Sequence, residues 1–222
     1  MRMLLLPAGM LLATLAPARA DAPAWPDSFV GRLEALALMQ EASLEILGDT
    51  SATSALERWC GAHRLADEPR VVARVLGSDD PGADAELRKR LEVDASEPLR
   101  YRRVELTCGE RLLSVAENWY VPARLTAAMN EQLKTGDTPF GKVVRPLAPY
   151  RRTFELRQLW SPLPQGWERG APIADEDGSL EIPAALFEHR ALLYSEAHVP
   201  FAEVHETYQR DLLAAPPAHR AP

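Results

Sequence analysis

The chain has 222 residues and a formal net charge of −7 at pH 7, which is enough length for one domain with its own hydrophobic core. This excess of acidic side chains argues against non-specific binding to DNA, RNA or anionic lipid, which requires a basic face. We therefore expect no nucleic-acid partner.

A secretory signal peptide is predicted over residues 1–20. Arg2 supplies a positive charge, residues 3–15 form a short apolar stretch, and Ala18-Arg19-Ala20 fits a small-residue cleavage site. We expect cleavage after Ala20 and export to the periplasm or out of the cell. No stable membrane insertion should follow, because the apolar stretch is too short to span a bilayer. An uncleaved anchor and a misassigned start codon are the alternatives.

The rest of the chain is predicted to form a single domain over residues 21–213, followed by a disordered tail over 214–222. Helices are predicted over 29–47, from 52 to about 61, over 83–91 and over 122–133; strands are predicted over 70–76, 99–106, 112–122, 150–160, 187–194 and 201–208. Residues 161–182, rich in proline, glycine and acid, are predicted to be a solvated excursion. Two hairpins with helices between them indicate an α+β fold, an antiparallel β-sheet covered by helices.

Cys60 and Cys108 are the two cysteines of the chain. In an oxidising compartment they could form one disulfide, but spacing does not place their Cα atoms within bonding distance. A disulfide and two separate buried thiols therefore both remain open.

Two adjacent arginines, Arg102 and Arg103, lie in the first strand of the first predicted hairpin. Strand side chains alternate between faces, so Arg102 shares a face with Val104 and Leu106, which should point to the core. Arg103 shares the opposite face with Glu105, which should point outward. A cation on the apolar face requires a compensating anion. That anion is either a core carboxylate in a structural ion pair or a ligand.

The last predicted strand carries a second group of polar residues. Glu203 and His205 share one face, whereas Glu206 shares the other with Val204 and Tyr208. Desolvation among apolar neighbours favours the protonated form of a glutamate and suits general acid catalysis. The Glu-x-His pair has no third ligand at a telling spacing, and no nucleophile elbow or phosphate-binding glycine loop occurs. We therefore predict no metal and no cofactor.

A Pro-aromatic-Gly corner follows the first hairpin and can offer backbone N–H groups to a ligand. It is one of six segments whose order is informative: residues 47–57, Arg102-Arg103-Val104-Glu105-Leu106, Thr138-Pro139-Phe140-Gly141-Lys142, Arg151-Arg152, Phe187-Glu188-His189-Arg190 and Glu206-Thr207-Tyr208. That order resembles the chorismate pyruvate-lyase family, whose fold is shared with the UTRA effector-binding domains of bacterial regulators. The resemblance implies a chorismate-lyase-like fold and the release of pyruvate from chorismate to give 4-hydroxybenzoate or a related aromatic acid.

The resemblance also implies roles for individual residues. Arg102 would hold the ring carboxylate, and Arg103 is the alternative because a gapless alignment from the returning strand selects it. Glu206 would address the opposite end of the substrate, so Arg102 and Glu206 are the predicted catalytic residues. The backbone of Phe140 would contact the ligand.

Three further positions complete the predicted substrate-binding set. Asn118 stands where the family has a second arginine, and Ala52 stands where it has a large residue that covers the pocket. Arg190 falls where the family has a further arginine.

The expected partner is a small aromatic carboxylate, bound by a monomer. The main functional prediction is the lyase, and a non-catalytic periplasmic binding protein for such a carboxylate is the alternative. A third possibility is a structural domain in which the buried arginine and glutamate pair with each other.

Overall fold

A six-stranded antiparallel sheet organises the part of the chain that the computed structural model describes, residues 25–77, 81–173 and 178–214. The strands are β1 (Val71–Gly77), β2 (Arg100–Cys108), β3 (Arg111–Tyr120), β4 (Tyr150–Gln158), β5 (Ala185–Tyr194) and β6 (Pro200–Gln209), in the order β1-β2-β3-β6-β5-β4. They form two three-stranded meanders, β1–β3 and β4–β6, whose last strands pair with each other. The predicted α+β class with an antiparallel sheet is confirmed.

Five helices pack around this sheet in the described residues: α1 (Phe29–Leu47), α2 (Ala52–Ala62), α3 (Ala85–Arg90), α4 (Ala127–Thr135) and α5 (Phe140–Val144). Side-chain caps fix where α1, α2 and α4 begin, because the hydroxyls of Ser28, Ser51 and Thr126 each accept a hydrogen bond from a first-turn backbone N–H. The helix predicted over 122–133 therefore begins late. Residues 122–124 form a 3₁₀ turn, and α4 starts only after Thr126.

The two faces of the sheet are covered differently. On the inner face, α1 and α2 bury residues such as Ile46, Leu56 and Trp59 against the strands. On the outer face, α3 and the residue after it bury Leu87 and Leu91 against β3 and β5. Any enclosed space on the inner face therefore lies between the sheet and the helices.

Most of the described residues in the predicted excursion, 161–173 and 178–182, are exposed, as expected of a solvated segment, but a few apolar side chains fasten it to the core. Leu163 is buried in the main core, and Ile173 and Leu180 pack against the same cluster. The N–H of Leu180 donates to the carbonyl of Trp25 at 2.7 Å. The prediction from proline, glycine and acid content thus holds for most of the described part of the segment, and the apolar residues spaced between them are what the prediction overlooked.

Cys60 and Cys108 form a disulfide that joins α2 to the end of β2. Both side chains are fully buried, and the question that the sequence left open is answered in favour of pairing. Within the described ranges, no helix is both long and apolar enough to cross a bilayer. The predicted signal peptide lies outside the described residues, as does the predicted tail apart from the buried Ala214.

Converting both cysteines to alanine should destabilise the domain. The disulfide links residues 48 positions apart, and closure of a loop of that size is worth about 4 kcal/mol in the chain-entropy model. Urea denaturation of the oxidised protein and of Cys60→Ala/Cys108→Ala would measure the difference. Equal free energies of unfolding would contradict the expectation.

Candidate functional site

A cavity, here called the inner pocket, lies between the inner face of the sheet and the helices α2 and α5. Its lining residues are Thr50, Ser51, Ala52, Thr53, Val104, Leu106, Ala116, Asn118, Phe140, Gly141, Val144, Pro149, Arg151, Leu193, Val204 and Glu206. The enclosed part is about 40 Å³, room for about two or three water molecules. A ligand as large as a benzene ring therefore enters only if a wall moves.

Strand alternation explains why polar side chains from distant segments meet here. Asn118 of β3 lies opposite Arg102 of β2, and Glu206 of β6 lies between Ala116 of β3 and His189 of β5. All of them project from the inner face. Residues nearly a hundred positions apart in sequence thus become neighbours.

The centre of the polar part is an ion pair between Arg151 and Glu206. Their side chains are 3% and 8% exposed, and Arg151 Nη2 lies 2.6 Å from Glu206 Oε2. The Tyr208 hydroxyl donates to the same carboxylate oxygen at 2.9 Å. Burial alone would lower the pKa of Arg151, but Glu206 and Tyr208 outweigh it and raise that pKa above its usual value. Burial raises the pKa of Tyr208, which keeps the phenol protonated.

Arg102 is a buried cation beside the inner pocket. It is 3% exposed, and its Nη2 donates to the carbonyl oxygens of Gly136 and Thr138 at 3.0 and 3.1 Å. Its Nε and Nη1 have no hydrogen-bond partner. Burial lowers the pKa of Arg102, and no carboxylate of the described residues pairs with it. The core carboxylate that could have compensated it, Glu206, pairs with Arg151 instead.

The opposite wall is built by the close approach of α5 to the start of α2. A Cβ atom on Gly141 would lie 2.8 Å from the Ser51 hydroxyl and 3.2 Å from that of Thr53, so only glycine fits there without displacement. Gly141 thereby holds the aromatic ring of Phe140 and the small side chain of Ala52 on the same wall. The resemblance to the Thr-Pro-x-Gly turn thus coincides with a packing requirement.

His189 is a residue that sequence reasoning missed. It is 1% exposed and lies opposite Glu206 across β5 and β6. Its Nε2 is 2.9 Å from the hydroxyl of Ser43, whereas its Nδ1 has no partner. Burial lowers its pKa to about 4, against an opposing effect of Glu206. Its alternation with Phe187 and Ala191 on one face was the signal that could have found it.

The low pKa of His189 predicts a pH dependence of stability. The unfolded chain takes up a proton below the ordinary histidine pKa of about 6.5, whereas the folded protein does so only below about 4. Between these values the unfolded state binds more protons, so stability falls as pH falls, by up to roughly 3 kcal/mol. Urea titrations from pH 7 to 4 should show a shallower fall in His189→Gln, which keeps a hydrogen-bonding group near Ser43. Parallel curves would refute this.

Four of the seven predicted site residues line the inner pocket: Ala52, Asn118, Phe140 and Glu206. Arg102 is not among the lining residues but lies next to them in the sheet, opposite Asn118. The expected apolar surroundings of Glu206 are corrected, since its carboxylate pairs with Arg151, whereas the sequence interpretation considered only a pair with the arginine of the first hairpin.

Arg103 and Arg190 do not belong to this group. Arg103 is exposed on the outer face, as alternation with Arg102 predicts. Arg190 also lies on the outer face, where it bonds to Glu188. The assignment of these two as substrate-binding residues of the inner pocket is corrected by their facing.

Glu203 and His205 also lie on the outer face, as their alternation with Glu206 predicts. Glu203 is fully buried and accepts two hydrogen bonds from Arg90, at 2.7 and 2.9 Å. Its Oε1 also lies 2.8 Å from Nε2 of His205. This cluster fastens α3 to the sheet. Among the described residues no group of three or more metal-ligating side chains converges.

Comparison with known proteins gives one close relative. No protein-family model matches the chain. The uncharacterized protein y4mC of Sinorhizobium fredii is 45% identical over 194 residues, which cover 86% of this chain and 82% of that protein.

Solved structures are similar only at a lower level. The effector domain of PhnF from Mycobacterium smegmatis is 15% identical with a TM-score of 0.47, over 73% of this chain and 90% of that one. The ligand-binding domain of a putative GntR-family transcriptional regulator from Bordetella bronchiseptica is 20% identical with a TM-score of 0.43, over 66% and 89%. The possible transcriptional regulator YydK from Bacillus subtilis gives 0.39 at 15% identity, and the chain spans 57% of its length and 62% of its own. Scores of this size support no inference about the ligand of this chain.

Proposed function

Since the chain belongs to the same family as the uncharacterized protein y4mC of Sinorhizobium fredii, which brings no activity with it, we propose from the inner pocket that it binds a small carboxylate-bearing molecule. One observation carries the proposal. Among the described residues, Arg102 is a buried guanidinium with two carbonyl partners, two nitrogens without a hydrogen-bond partner and no paired carboxylate.

A buried charge is costly unless a counter-charge and hydrogen bonds compensate it. Two backbone carbonyls offset part of the cost for Arg102, but they leave its formal charge and its Nε and Nη1 unsatisfied. A carboxylate matches the geometry of a guanidinium and accepts two hydrogen bonds at once. Such an anion would complete the site.

The rest of the ligand should be apolar and flat. Much of the lining is apolar, with Val104, Leu106, Phe140, Val144 and Leu193 among the walls. Apolar walls with a few placed polar groups are typical of small-molecule sites. An aromatic carboxylate fits this description if the turn before α2, residues 48–51, moves to admit the ring.

The proposal is tested by titrating the purified protein with benzoate and 4-hydroxybenzoate, using calorimetry and thermal unfolding. A ligand that binds only the folded state raises the melting temperature by an amount that grows with the ratio of its free concentration to its Kd. Ala52→Leu, which fills the pocket from the first residue of α2, should abolish both signals. Ala127→Leu makes the same change at the exposed first residue of α4 and should leave them intact. The proposal fails if neither carboxylate binds the unaltered protein.

The second candidate is chorismate pyruvate-lyase activity, favoured by the position of Glu206 in the same cavity as Phe140 and Asn118. The ring–oxygen bond would break, the enolpyruvyl group would leave and take up a proton to become pyruvate, and loss of a ring proton would give aromatic 4-hydroxybenzoate. With Arg151 paired to it, Glu206 would position the hydroxyl end of the substrate as a carboxylate rather than donate a proton. Pyruvate release from chorismate, measured with lactate dehydrogenase and lost in Glu206→Gln, would support this candidate. If no pyruvate is released but aromatic acids bind tightly, only the binding function is supported.

We also propose export by the predicted signal peptide, with the Cys60–Cys108 disulfide in support, because disulfides persist in oxidising compartments. Cell fractionation and a mature N-terminus at Asp21 would support it, whereas a cytosolic protein that begins at Met1 would contradict it. The expected monomer is likewise a proposal, to be checked by size-exclusion chromatography with light scattering.

A further inference from the structure

We propose that a second cavity, separate from the inner pocket, binds an uncharged and mostly apolar molecule that carries a hydroxyl group. This cavity, here called the edge groove, lies between α1 and the strands β4 and β5. Its walls include Met39 and Ser43 of α1, Leu156 of β4, and Phe187 and His189 of β5. Among the described residues, the edge groove and the inner pocket share no lining residue, so a failure of the proposed function leaves this second site untouched.

The edge groove is larger than the inner pocket and open to solvent. Its volume is about 280 Å³, against about 40 Å³ for the inner pocket. An apolar cavity of about 150 Å³ already admits benzene, so the edge groove has room for a molecule of about two fused rings. Since β4 is the last strand of the sheet, such a molecule can enter past its edge without movement of a wall.

Apolar side chains form much of the wall. Leu156 lies opposite His189 across β4 and β5, and both project from the inner face together with Phe187. Met39 and Phe187 are 3% and 5% exposed, whereas Leu156 remains 56% exposed. A ligand that covers Leu156 removes this apolar surface from water, and the hydrophobic effect favours its binding.

The charged side chains beside the edge groove are already paired. Arg157 and Glu188 lie opposite each other on β4 and β5, and alternation with His189 directs their side chains to the outer face, where they pair at 3.3 Å. Behind His189, Glu206 is paired with Arg151. His189 itself is neutral at pH 7, because burial lowers its pKa to about 4. An ionised ligand would therefore be buried without a counter-charge, which is strongly unfavourable.

Ser43 and His189 supply the polar anchor. The Ser43 hydroxyl oxygen lies 2.9 Å from Nε2 of His189. A serine hydroxyl has one donor and two acceptor sites, so Ser43 can accept a further hydrogen bond whichever tautomer His189 adopts. The His189 side chain is 1% exposed, and its Nδ1 has no partner among the described residues. This nitrogen is a donor in one tautomer and an acceptor in the other, and a ligand hydroxyl meets either case because it both donates and accepts.

Three ligands of one ring size test the proposal by equilibrium dialysis at pH 7: 2-naphthol, naphthalene and 2-naphthoate. They are compared in Ala52→Leu, whose filled inner pocket cannot hold the carboxylate. We expect 2-naphthol to bind at least about tenfold more tightly than 2-naphthoate. Ser43→Ala should weaken 2-naphthol about fivefold, the usual effect of one hydrogen bond, and leave naphthalene unchanged.

A matched pair of variants locates the bound ligand. Gln40→Trp, at an exposed position of α1 that lines the edge groove, should fill the groove and abolish binding of 2-naphthol. Gln132→Trp makes the same change at an exposed position of α4 and should leave binding intact.

The proposal is overturned if 2-naphthol does not bind, or if Gln40→Trp leaves its binding unchanged, because the ligand would then lie elsewhere. Equal affinities for 2-naphthol and 2-naphthoate would show that the site does not require an uncharged ligand. Equal weakening of 2-naphthol and naphthalene by Ser43→Ala would overturn the role of the hydroxyl. If Ala52→Leu fails to fold, Gln40→Trp and Ser43→Ala decide the matter in the otherwise unaltered protein.

Discussion

Replacing Arg151 with methionine is expected to destabilise the protein by about 3–5 kcal/mol, the usual cost of leaving one member of a buried ion pair without its partner. Glu206 would keep only the hydroxyl of Tyr208, 2.9 Å from its Oε2, as a hydrogen-bond donor. Its side chain is 8% exposed, so water cannot replace the guanidinium. Urea denaturation at pH 7 measures the loss.

Two further measurements show that the lost charge pair is the cause. Arg152→Met, on the exposed neighbouring residue of β4, should change the free energy of unfolding by no more than about 0.5 kcal/mol. Adding Glu206→Gln to Arg151→Met should restore most of the stability, because the amide is neutral and still accepts from Tyr208. A deficit that the double variant does not relieve would assign the loss to packing.

Arg102→Met is expected to weaken binding of the carboxylate on the order of 100-fold, because a buried guanidinium–carboxylate contact is worth several kcal/mol. The same change should leave the stability of the ligand-free protein within about 1 kcal/mol of its original value. Methionine fills similar space and removes an uncompensated buried cation. The hydrogen bonds to Gly136 and Thr138 are lost in exchange.

This combination separates a ligand site from a structural one. Arg103→Met is the matched control, since Arg103 is the exposed neighbour on the same strand, and it should affect neither binding nor stability. If Arg102→Met instead lowers stability by several kcal/mol and the ligand still binds, Arg102 serves to hold the turn at residues 136–138. That result would favour the structural interpretation of the buried arginine.

The local sequence pattern was sufficient to predict which face of the sheet most of the candidate residues occupy. Alternation along one strand placed Arg102 inward and Arg103 outward, and the same period separated Glu206 from Glu203 and His205. These predictions depend only on the backbone geometry of a strand, which neighbours do not alter. The starts of α1 and α2, predicted at residues 29 and 52, could be read equally well, because the capping hydrogen bonds of Ser28 and Ser51 are made within the first turn of each helix.

The partners of the buried charges could not be read in this way. Arg151 pairs with Glu206 from a strand two places away in the sheet, and His189 reaches Ser43 on a helix. Such contacts depend on strand order and on the curvature of the whole sheet. The pairing of Cys60 with Cys108 stayed open for the same reason. Arg190 was misassigned because the resemblance supplied its position in the sequence but not the face of the sheet on which its side chain lies.

Pairing of β3 with β6 joins the two meanders in the sheet, and each meander brings part of the polar surroundings of the inner pocket. Arg102 and Asn118 come from the first meander, and Arg151 and Glu206 come from the second. A molecule that contacts both sets therefore acts as a clamp between the halves of the domain. If the chain is cut at the exposed Ala148, just before β4, the two fragments should reassociate more tightly when the carboxylate is present. The fraction of pockets that hold ligand would then be a measure of how much of the six-stranded sheet has reassembled.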